Sequence, residues 1–289
     1  MQVRPSSDLF KAQPVTFETM KRAKAFAAEY IEVDLVTTQY PEDHMIIPSY
    51  FAIAPDLERS VMDVGSFQKE RKLPLIKDLL ERAVAFSPDA DYIVYTNVDI
   101  ALQPHFYLFI QLQIEAGLEA FVINRRTIPA HFDLHNLAEA YSAIGDKHPG
   151  FDCFVIKREL ISKFRLGTIS IGANWIGRTV FANLLVHCKK TKLFEDEHLT
   201  FHIGEDGAWL VSDFSEFDLH NKAQLYQILD ELKQDTDDEE ALKGLEEIRE
   251  FMDNYGSNPT IEKVPYNPSR WTRIKKKVKK VAKIILDKD

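Results

Sequence analysis

The most restrictive feature of the chain is a continuous apolar segment, Asp91-Tyr-Ile-Val-Tyr-Thr-Asn97. Its β-branched and aromatic residues show no alternation with polar ones, which is typical of a central strand in a parallel sheet that is covered on both faces. A helix is predicted just before it, over Leu73–Phe86, because Pro74 suits a first helical turn and Pro88 follows the end. The segment therefore indicates a fold in which helices deliver parallel strands.

The same alternation continues along the first 220 residues. Helices are predicted over Phe17–Ala28, with Thr16 as N-cap, and over Pro104–Ala116 and Trp175–His187. Strands are predicted at Glu32–Thr37, Ala120–Asn124 and Phe151–Ile156. The pattern predicts an α/β fold with a mainly parallel sheet flanked by helices, in which ligands bind beyond the carboxyl ends of the strands.

Two further segments follow this domain of residues 1–220. A helical hairpin is predicted over 221–256 from apolar residues at helical spacing, broken near Asp235–Asp238. They are Leu225, Ile228, Leu229 and Leu232 in one helix and Leu242, Leu245, Ile248 and Met252 in the other. Residues 257–269 form a proline-containing linker to a basic segment over 270–289.

This C-terminal segment carries nine Lys or Arg and two Asp, a local balance of +7 in a chain of net charge −9. The remaining 269 residues therefore sum to −16, which argues against nucleic acid as a partner of the body. An apolar stripe on the segment is formed by Trp271, Ile274, Val278, Val281 and Ile285. A basic amphipathic helix of this kind predicts in-plane binding to an anionic membrane surface, and the alternative is a helix that docks on the body.

Three features of the sequence bear on the localisation of the protein. No apolar run approaches the ~20 residues of a membrane-spanning helix, and the first ten residues contain no apolar signal-peptide core. Two cysteines, Cys153 and Cys188, cannot form a disulfide framework and suit a reducing compartment. We therefore expect a cytoplasmic protein that is peripheral on the membrane.

Asn97 and Asp99 follow the apolar strand at its carboxyl end. Their spacing points both side chains to the same face of an extended chain. Paired oxygen ligands of this type suit Mg²⁺ or Mn²⁺, which bind one or two carboxylates together with phosphate oxygens. The alternative is that the two residues cap the following turn or the helix after Pro104.

The order of helices and strands that ends in Asn97-Val98-Asp99 resembles the nucleotide-sugar glycosyltransferases of the A fold, over roughly residues 1–215. In that family the strand closes with an Asp-x-Asp motif that holds a divalent cation between the diphosphate oxygens of the donor. Asn97 stands in place of the first Asp. The resemblance implies a nucleoside-diphosphate sugar as donor and Mn²⁺ or Mg²⁺ held by Asp99 and Asn97. It also implies His202 as a further ligand, with a structural, hydrogen-bonded histidine as the alternative.

The turn His148-Pro149-Gly150 leads into the strand that follows Asp152. In the resemblance this is where the donor sugar and the acceptor meet, so Asp152 is expected to bond sugar hydroxyls or to act as the base of an inverting transfer. Glu205 and Asp206 are rival bases. His148 is a candidate for donor binding in the same place. The alternative for Asp152 and His148 is stabilisation of the turn.

Cations are needed for the donor diphosphate, and the candidates lie near predicted element ends. They are Arg125 and Arg126 after a strand, Arg71 and Lys72 before a helix, and Arg4 after a first strand at Met1–Val3. Charged residues in loops are also commonly solvated, which is the alternative for each. The glycine-rich dinucleotide and P-loop motifs and the nucleophile elbow are absent from the sequence.

The sequence thus predicts a metal-dependent glycosyltransferase that moves a sugar from a nucleoside-diphosphate sugar to an acceptor hydroxyl. A lipid-linked or polysaccharide-precursor glycan at a membrane surface is the expected acceptor. Two alternatives remain open: a nucleotidyltransferase, and a non-catalytic, membrane-associated module that binds a nucleotide or a protein partner.

Overall fold

A computed structural model gives the positions of residues 8–148, 150–204 and 215–255, and helices alternate with short strands along them. The helices are α1 Asp8–Ala27, α2 Ile76–Phe86, α3 Phe106–Glu115, α4 Leu137–Ser142, α5 Ile176–His187, α6 Ser215–Leu232 and α7 Glu239–Tyr255. The strands are β1 Val36–Thr37, β2 Ala52–Ile53, β3 Tyr92–Thr96, β4 Ala101–Leu102, β5 Ala120–Ile123, β6 Arg126–Ile128, β7 Asp146–Lys147, β8 Cys153–Lys157, β9 Thr191–Phe194 and β10 Thr200–Ile203.

The strand predicted to be central and parallel lies at one side of its sheet. The strand order is β3-β8-β5-β9, and β8 runs antiparallel to both β3 and β5. Four of the seven strand pairings among the described residues are antiparallel. The mixed α/β fold is therefore as predicted, but the prediction of a mainly parallel sheet is wrong. The residues of β3 are half-buried and not covered on both faces, because among the described strands it has a neighbour on one side only. The apolar run indicated a strand and not its place in the sheet or the direction of its neighbours.

A second sheet has the order β4-β10-β6-β7, in which β10 is antiparallel to β4 and parallel to β6. The short strands β1 and β2 form a separate parallel pair. Because β4 begins two residues after Asp99 and pairs with β10, the end of the Asn97-x-Asp99 segment comes to lie beside β10. This pairing brings together two segments that are a hundred residues apart in the sequence.

The main core lies between the first sheet and the helices α1 and α3. Phe106, Phe121, Ile123 and Val155 are among its fully buried members, and burial of a side chain of this size contributes about 1.5–3 kcal/mol. Helix α1 begins at Asp8 rather than at Phe17, so Thr16 is buried within the helix instead of capping it. The helix extends because Ala12 and Val15 prolong its apolar face onto a second core cluster.

The predicted helical hairpin is formed by α6 and α7. Its predicted inner residues Leu225, Ile228, Leu229 and Leu232 are buried, and Asp238 accepts a hydrogen bond from the Ala241 N–H at 2.8 Å in the first turn of α7. By contacts the chain divides into Met1–Arg249 and Glu250–Asp289. The predicted domain boundaries at residues 220 and 256 stay predictions. Within the described ranges, no helix is both long and apolar enough to cross a membrane.

Candidate active site

Three polar residues meet at one edge of the first sheet. Thr96 at the end of β3 pairs with Cys153 of β8, which also pairs with Ile123 of β5. The next residue on each strand at that edge is Asn97, Asp152 and Asn124 respectively. This edge holds the carboxyl ends of β3 and β5, the position at which ligands bind in α/β sheets.

Asp99 and His202 form a pair beside this edge. His202 Nε2 lies 3.4 Å from Asp99 Oδ2, and its Nδ1 lies 2.7 Å from the Gly204 carbonyl oxygen. A carbonyl only accepts, so Nδ1 carries a proton and Nε2 is directed to Asp99. Burial of the ring opposes protonation, but the hydrogen bond and charge of Asp99 outweigh it and raise the pKa of His202 above its ordinary value.

Asp99 has an oxygen that suits a cation. Its Oδ1 is buried and has no hydrogen-bond partner among the described residues, and such an atom is costly unless a ligand or ion satisfies it. The described residues contain no group of three or more His, Cys, Asp or Glu side chains able to hold a metal. The predicted set of Asp99, His202 and the amide oxygen of Asn97 contains two residues of these types, and its binding of a cation stays a prediction.

Asn97 is already held by the strand that precedes it. Its Oδ1 accepts a hydrogen bond from the Tyr95 hydroxyl at 3.2 Å. An amide oxygen has two lone pairs, so one remains for a ligand. Burial of Tyr95, together with the nearby charges of Asp99 and Asp152, raises the pKa of its hydroxyl. Tyr95 is therefore a neutral donor that orients the Asn97 amide.

Arg125, Asp152 and His148 form a second group. Arg125 Nη1 donates to Asp152 Oδ1 at 2.7 Å, and His148 Nδ1 lies 3.1 Å from Asp152 Oδ2. Burial raises the pKa of the Asp152 carboxyl, but the hydrogen bond with His148 and the charge of Arg125 outweigh it, so the pKa is lowered. The charge of Arg125 also acts on His202, which links the two groups into one electrostatic site.

The other predicted cations already have contacts. Arg126 donates to the Asp196 carbonyl oxygen at 3.0 Å. Lys72 lies 2.7 Å from Glu42 Oε1 and over the Tyr40 ring, while Arg71 lies next to it in the chain. The structure thus brings Arg125 to the sheet edge, and it gives Lys72 an exposed acidic partner. A role for any of these residues in donor binding stays a prediction.

Three of the predicted site residues, Arg4, Glu205 and Asp206, lie outside the described residues, as do the predicted strand Met1–Val3, the linker 257–269 and the basic segment 270–289. Their predicted roles in donor binding, base catalysis and membrane binding are neither confirmed nor contradicted.

Asn124 and a cluster of polar residues near β1 and β2 were not among the site residues predicted from the sequence. Asn124 is buried, and its Oδ1 has no hydrogen-bond partner among the described residues. Beyond the ends of β1 and β2, Gln39 Nε2 donates to Asp56 Oδ1 at 2.8 Å, and His44 Nε2 contacts the same oxygen at 2.6 Å. The signal that would have found both groups is the one used for Asn97, namely the first polar side chains after a strand.

One solved structure can be set beside this geometry. It is the crystal structure of S. aureus TarS 1-349 in complex with UDP-GlcNAc, with 10% sequence identity and a TM-score of 0.48, covering 84% of this chain and 69% of that chain. Neither a protein-family model nor a curated protein matches the sequence. Because identity and TM-score are both low, the function must be inferred from the side chains of this chain.

Proposed function

We propose that the protein is a glycosyltransferase that moves a sugar from a nucleoside-diphosphate sugar to an acceptor hydroxyl, with a divalent cation at Asp99. The observation that carries this proposal is the pairing of Asp99 with His202 at the carboxyl ends of the strands, where Asp99 Oδ1 is buried and has no partner in the described part of the chain. A buried, unsatisfied carboxylate oxygen next to an imidazole is costly in a site that has no ligand to bind.

The residues around Asp99 would have different roles in donor binding. A bound Mn²⁺ or Mg²⁺ would act as a Lewis acid toward the diphosphate of the leaving nucleotide. Asp99, His202 and Asn97 would hold this cation. Arg125 supplies a fixed positive charge beside it, and its buried Nε has no partner among the described residues and is available to donate. Asn124 offers an amide to the sugar or phosphate at the same edge.

The test is nucleotide binding by the full chain, measured as a thermal shift with nucleoside diphosphates of different bases, each with and without Mn²⁺. A ligand that binds only the native state raises the melting temperature; at 100 times its Kd the stabilisation is about 2.7 kcal/mol. We expect the nucleoside diphosphate of one nucleobase to raise the melting temperature, and only when Mn²⁺ is present. No shift with any nucleotide, with or without metal, would make Asn97 and Asp99 a turn cap and would overturn the proposal.

A non-catalytic nucleotide-binding module remains the second candidate because Asn97 offers an amide in place of a carboxylate. One fewer negative charge weakens the hold on a divalent cation. Release of free sugar from the donor separates the two functions. A transferase releases sugar slowly when water replaces the acceptor, whereas the module binds the donor without turnover.

The acceptor is proposed to lie at a membrane surface, with the basic segment 270–289 as a peripheral anchor on the cytoplasmic face. The support is the sequence alone: a +7 balance and an apolar stripe from Trp271 to Ile285. A glycan precursor on a lipid carrier would give such an anchor a purpose.

Deletion of residues 270–289 is expected to abolish sedimentation with vesicles that contain anionic lipid. Each basic residue near such a surface contributes about 1 kcal/mol at physiological ionic strength, so binding by the full chain should weaken steeply with added salt. Vesicles of neutral lipid are the control. If the truncated and full chains sediment equally, the segment is not the anchor.

A further inference from the structure

His148 and Asp152 form a pair that resembles the histidine–carboxylate half of a catalytic triad. We propose that His148 is a catalytic residue, whose Nε2 takes the proton from the acceptor hydroxyl while Asp152 holds the ring. This inference rests on the proposed function and adds to it the identity of the base.

The geometry directs one ring nitrogen inward and leaves the other available. His148 Nδ1 lies 3.1 Å from Asp152 Oδ2, while the other carboxylate oxygen accepts from Arg125 Nη1 at 2.7 Å. The Asp152 side chain is 8% exposed and that of His148 is 21% exposed. Among the described residues, Nε2 has no hydrogen-bond partner. The ring is thus held through Nδ1, and the His148 side chain as a whole is more exposed than that of Asp152.

The tautomer follows from the partners of Nδ1. The Gly150 N–H also lies 3.1 Å from this nitrogen, and a backbone N–H only donates, whereas a carboxylate only accepts. The two contacts therefore require opposite tautomers. A charge-assisted bond is roughly twice as strong as a neutral one, so the contact with ionised Asp152 prevails. The proton then lies on Nδ1, and Nε2 keeps its lone pair to act as a base.

Asp152 itself is poorly suited to the same task. Both its oxygens are engaged, and its pKa is lowered by His148 and Arg125 despite its burial, which makes the carboxylate a weak base. Its contacts suit a positioning residue, which sets the tautomer of His148 and stabilises the imidazolium that forms. Imidazole is the commonest general base in enzymes.

The step balances as a single displacement. The acceptor hydroxyl gives its proton to His148 Nε2 as its oxygen bonds to the anomeric carbon. The bond from that carbon to the donor phosphate oxygen breaks, and its electron pair leaves with the nucleoside diphosphate. The imidazolium later releases its proton to solvent. Attack opposite to the leaving group means that the product has inverted anomeric configuration.

The test uses the full chain with a panel of UDP-, GDP- and CDP-sugars and Mn²⁺, with water in place of the acceptor. For His148→Gln we expect kcat of donor hydrolysis to fall by about 100-fold or more, in the range of general-base catalysis. The Kd for the nucleoside diphosphate, measured by calorimetry, should stay within about twofold. His135→Gln is the matched control, since His135 is exposed in the same stretch between β6 and β8.

Two other variants test how the ring is held. A Cβ at residue 150 would lie 2.5 Å from Cε1 and 2.8 Å from Nδ1 of His148, so Gly150→Ala must displace the ring. It should lower kcat without changing the Kd for the nucleotide. Asp152→Asn should do the same through the wrong tautomer, and a circular dichroism spectrum confirms that each variant is folded.

The outcomes separate this inference from the proposed function. A kcat of His148→Gln within threefold of the unsubstituted chain overturns the role of the base, even if Asp99→Ala is inactive. Parallel loss of kcat and nucleotide binding makes His148 a donor ligand and also overturns it. Release of sugar with retained anomeric configuration, detected by NMR, also overturns the role of His148 as the base. If the unsubstituted chain neither binds a nucleotide nor hydrolyses any donor, the proposed function itself fails.

Discussion

Asp99→Ala is expected to lower metal-dependent hydrolysis of the donor on the order of 100-fold or more. The cation contributes several kcal/mol to stabilisation of the leaving diphosphate, and each 1.36 kcal/mol is a factor of ten in rate. The loss is expected because Asp99 is the carboxylate of the pair with His202, and its buried Oδ1, which has no hydrogen-bond partner within the described ranges, is free to bind a cation. The measurement is release of nucleoside diphosphate as a function of Mn²⁺ concentration.

The matched control is Asp91→Ala, at the other end of the same predicted strand. Asp91 is exposed, one residue before β3 begins, whereas Asp99 follows the end of β3. Its replacement removes the same charge without altering the sheet edge, so activity should be retained. If Asp99→Ala keeps the Mn²⁺ response of the unsubstituted chain, Asp99 is not a metal ligand.

Arg125→Met is expected to lower the free energy of unfolding at pH 7 by roughly 3–5 kcal/mol, the cost of leaving a buried charge without its partner. Asp152 is 7% exposed, and Arg125 Nη1 is its closest cation at 2.7 Å. Without the charge of Arg125, the pKa of the Asp152 carboxyl is lowered less, because the hydrogen bond with His148 then opposes burial with less help. Urea unfolding followed by tryptophan fluorescence gives the difference.

The loss of stability in Arg125→Met is expected to depend on pH, and the pKa of Asp152 gives the direction of this dependence. In the unsubstituted chain the pKa of Asp152 is lowered, so its contribution is present above the unfolded pKa of about 3.9 and is lost as the pH falls through the folded value. In Arg125→Met the pKa of Asp152 is lowered less, so protonation relieves the buried charge at a higher pH than in the unsubstituted chain. The difference in free energy of unfolding between the two proteins should therefore be smaller at about pH 4.5 than at pH 7. An equal difference at both pH values would contradict this explanation.

Two comparisons make the result specific to the buried pair. Arg125→Met combined with Asp152→Asn removes both charges and should recover most of the lost stability, because replacing a whole buried pair is often neutral. Arg165→Met removes an arginine from a pair with Asp235 that is solvent-exposed on the arginine side, and its effect should be much smaller. A double variant as unstable as Arg125→Met would assign the loss to packing.

The sequence was most informative where a pattern is set by burial. The apolar run from Asp91 to Asn97 placed β3 within one residue at each end, whereas α6 begins at Ser215, six residues before the predicted start of the hairpin at residue 221. Periodicity of apolar residues reports which positions are covered, because burial is what removes them from water. Helix α1 was started too late because a threonine before an apolar face suits an N-cap as well as an interior position.

Other properties were decided by contacts between distant segments. The apolar pattern of β3 is compatible with either neighbour direction, and only the insertion of β8 between β3 and β5 makes the sheet mixed. Likewise, no local pattern says that Arg125 pairs with Asp152 while Lys72 pairs with Glu42. These pairs depend on which strand ends lie next to each other, and that arrangement depends on the packing of the whole core.

The sequence by itself determined the α/β class, the Asn97-x-Asp99 candidate at a strand end and the separation of an acidic body from a basic C-terminal segment. These depend on residue type and spacing along the chain. The resemblance already implied that His202 lies near Asp99, and the structure has the two side chains 3.4 Å apart. Only the tertiary structure decided that Asp152 is held between Arg125 and His148. Hydrogen bonds and charges act over a few ångströms in space, and such proximity is created by strand pairing between residues far apart in the chain.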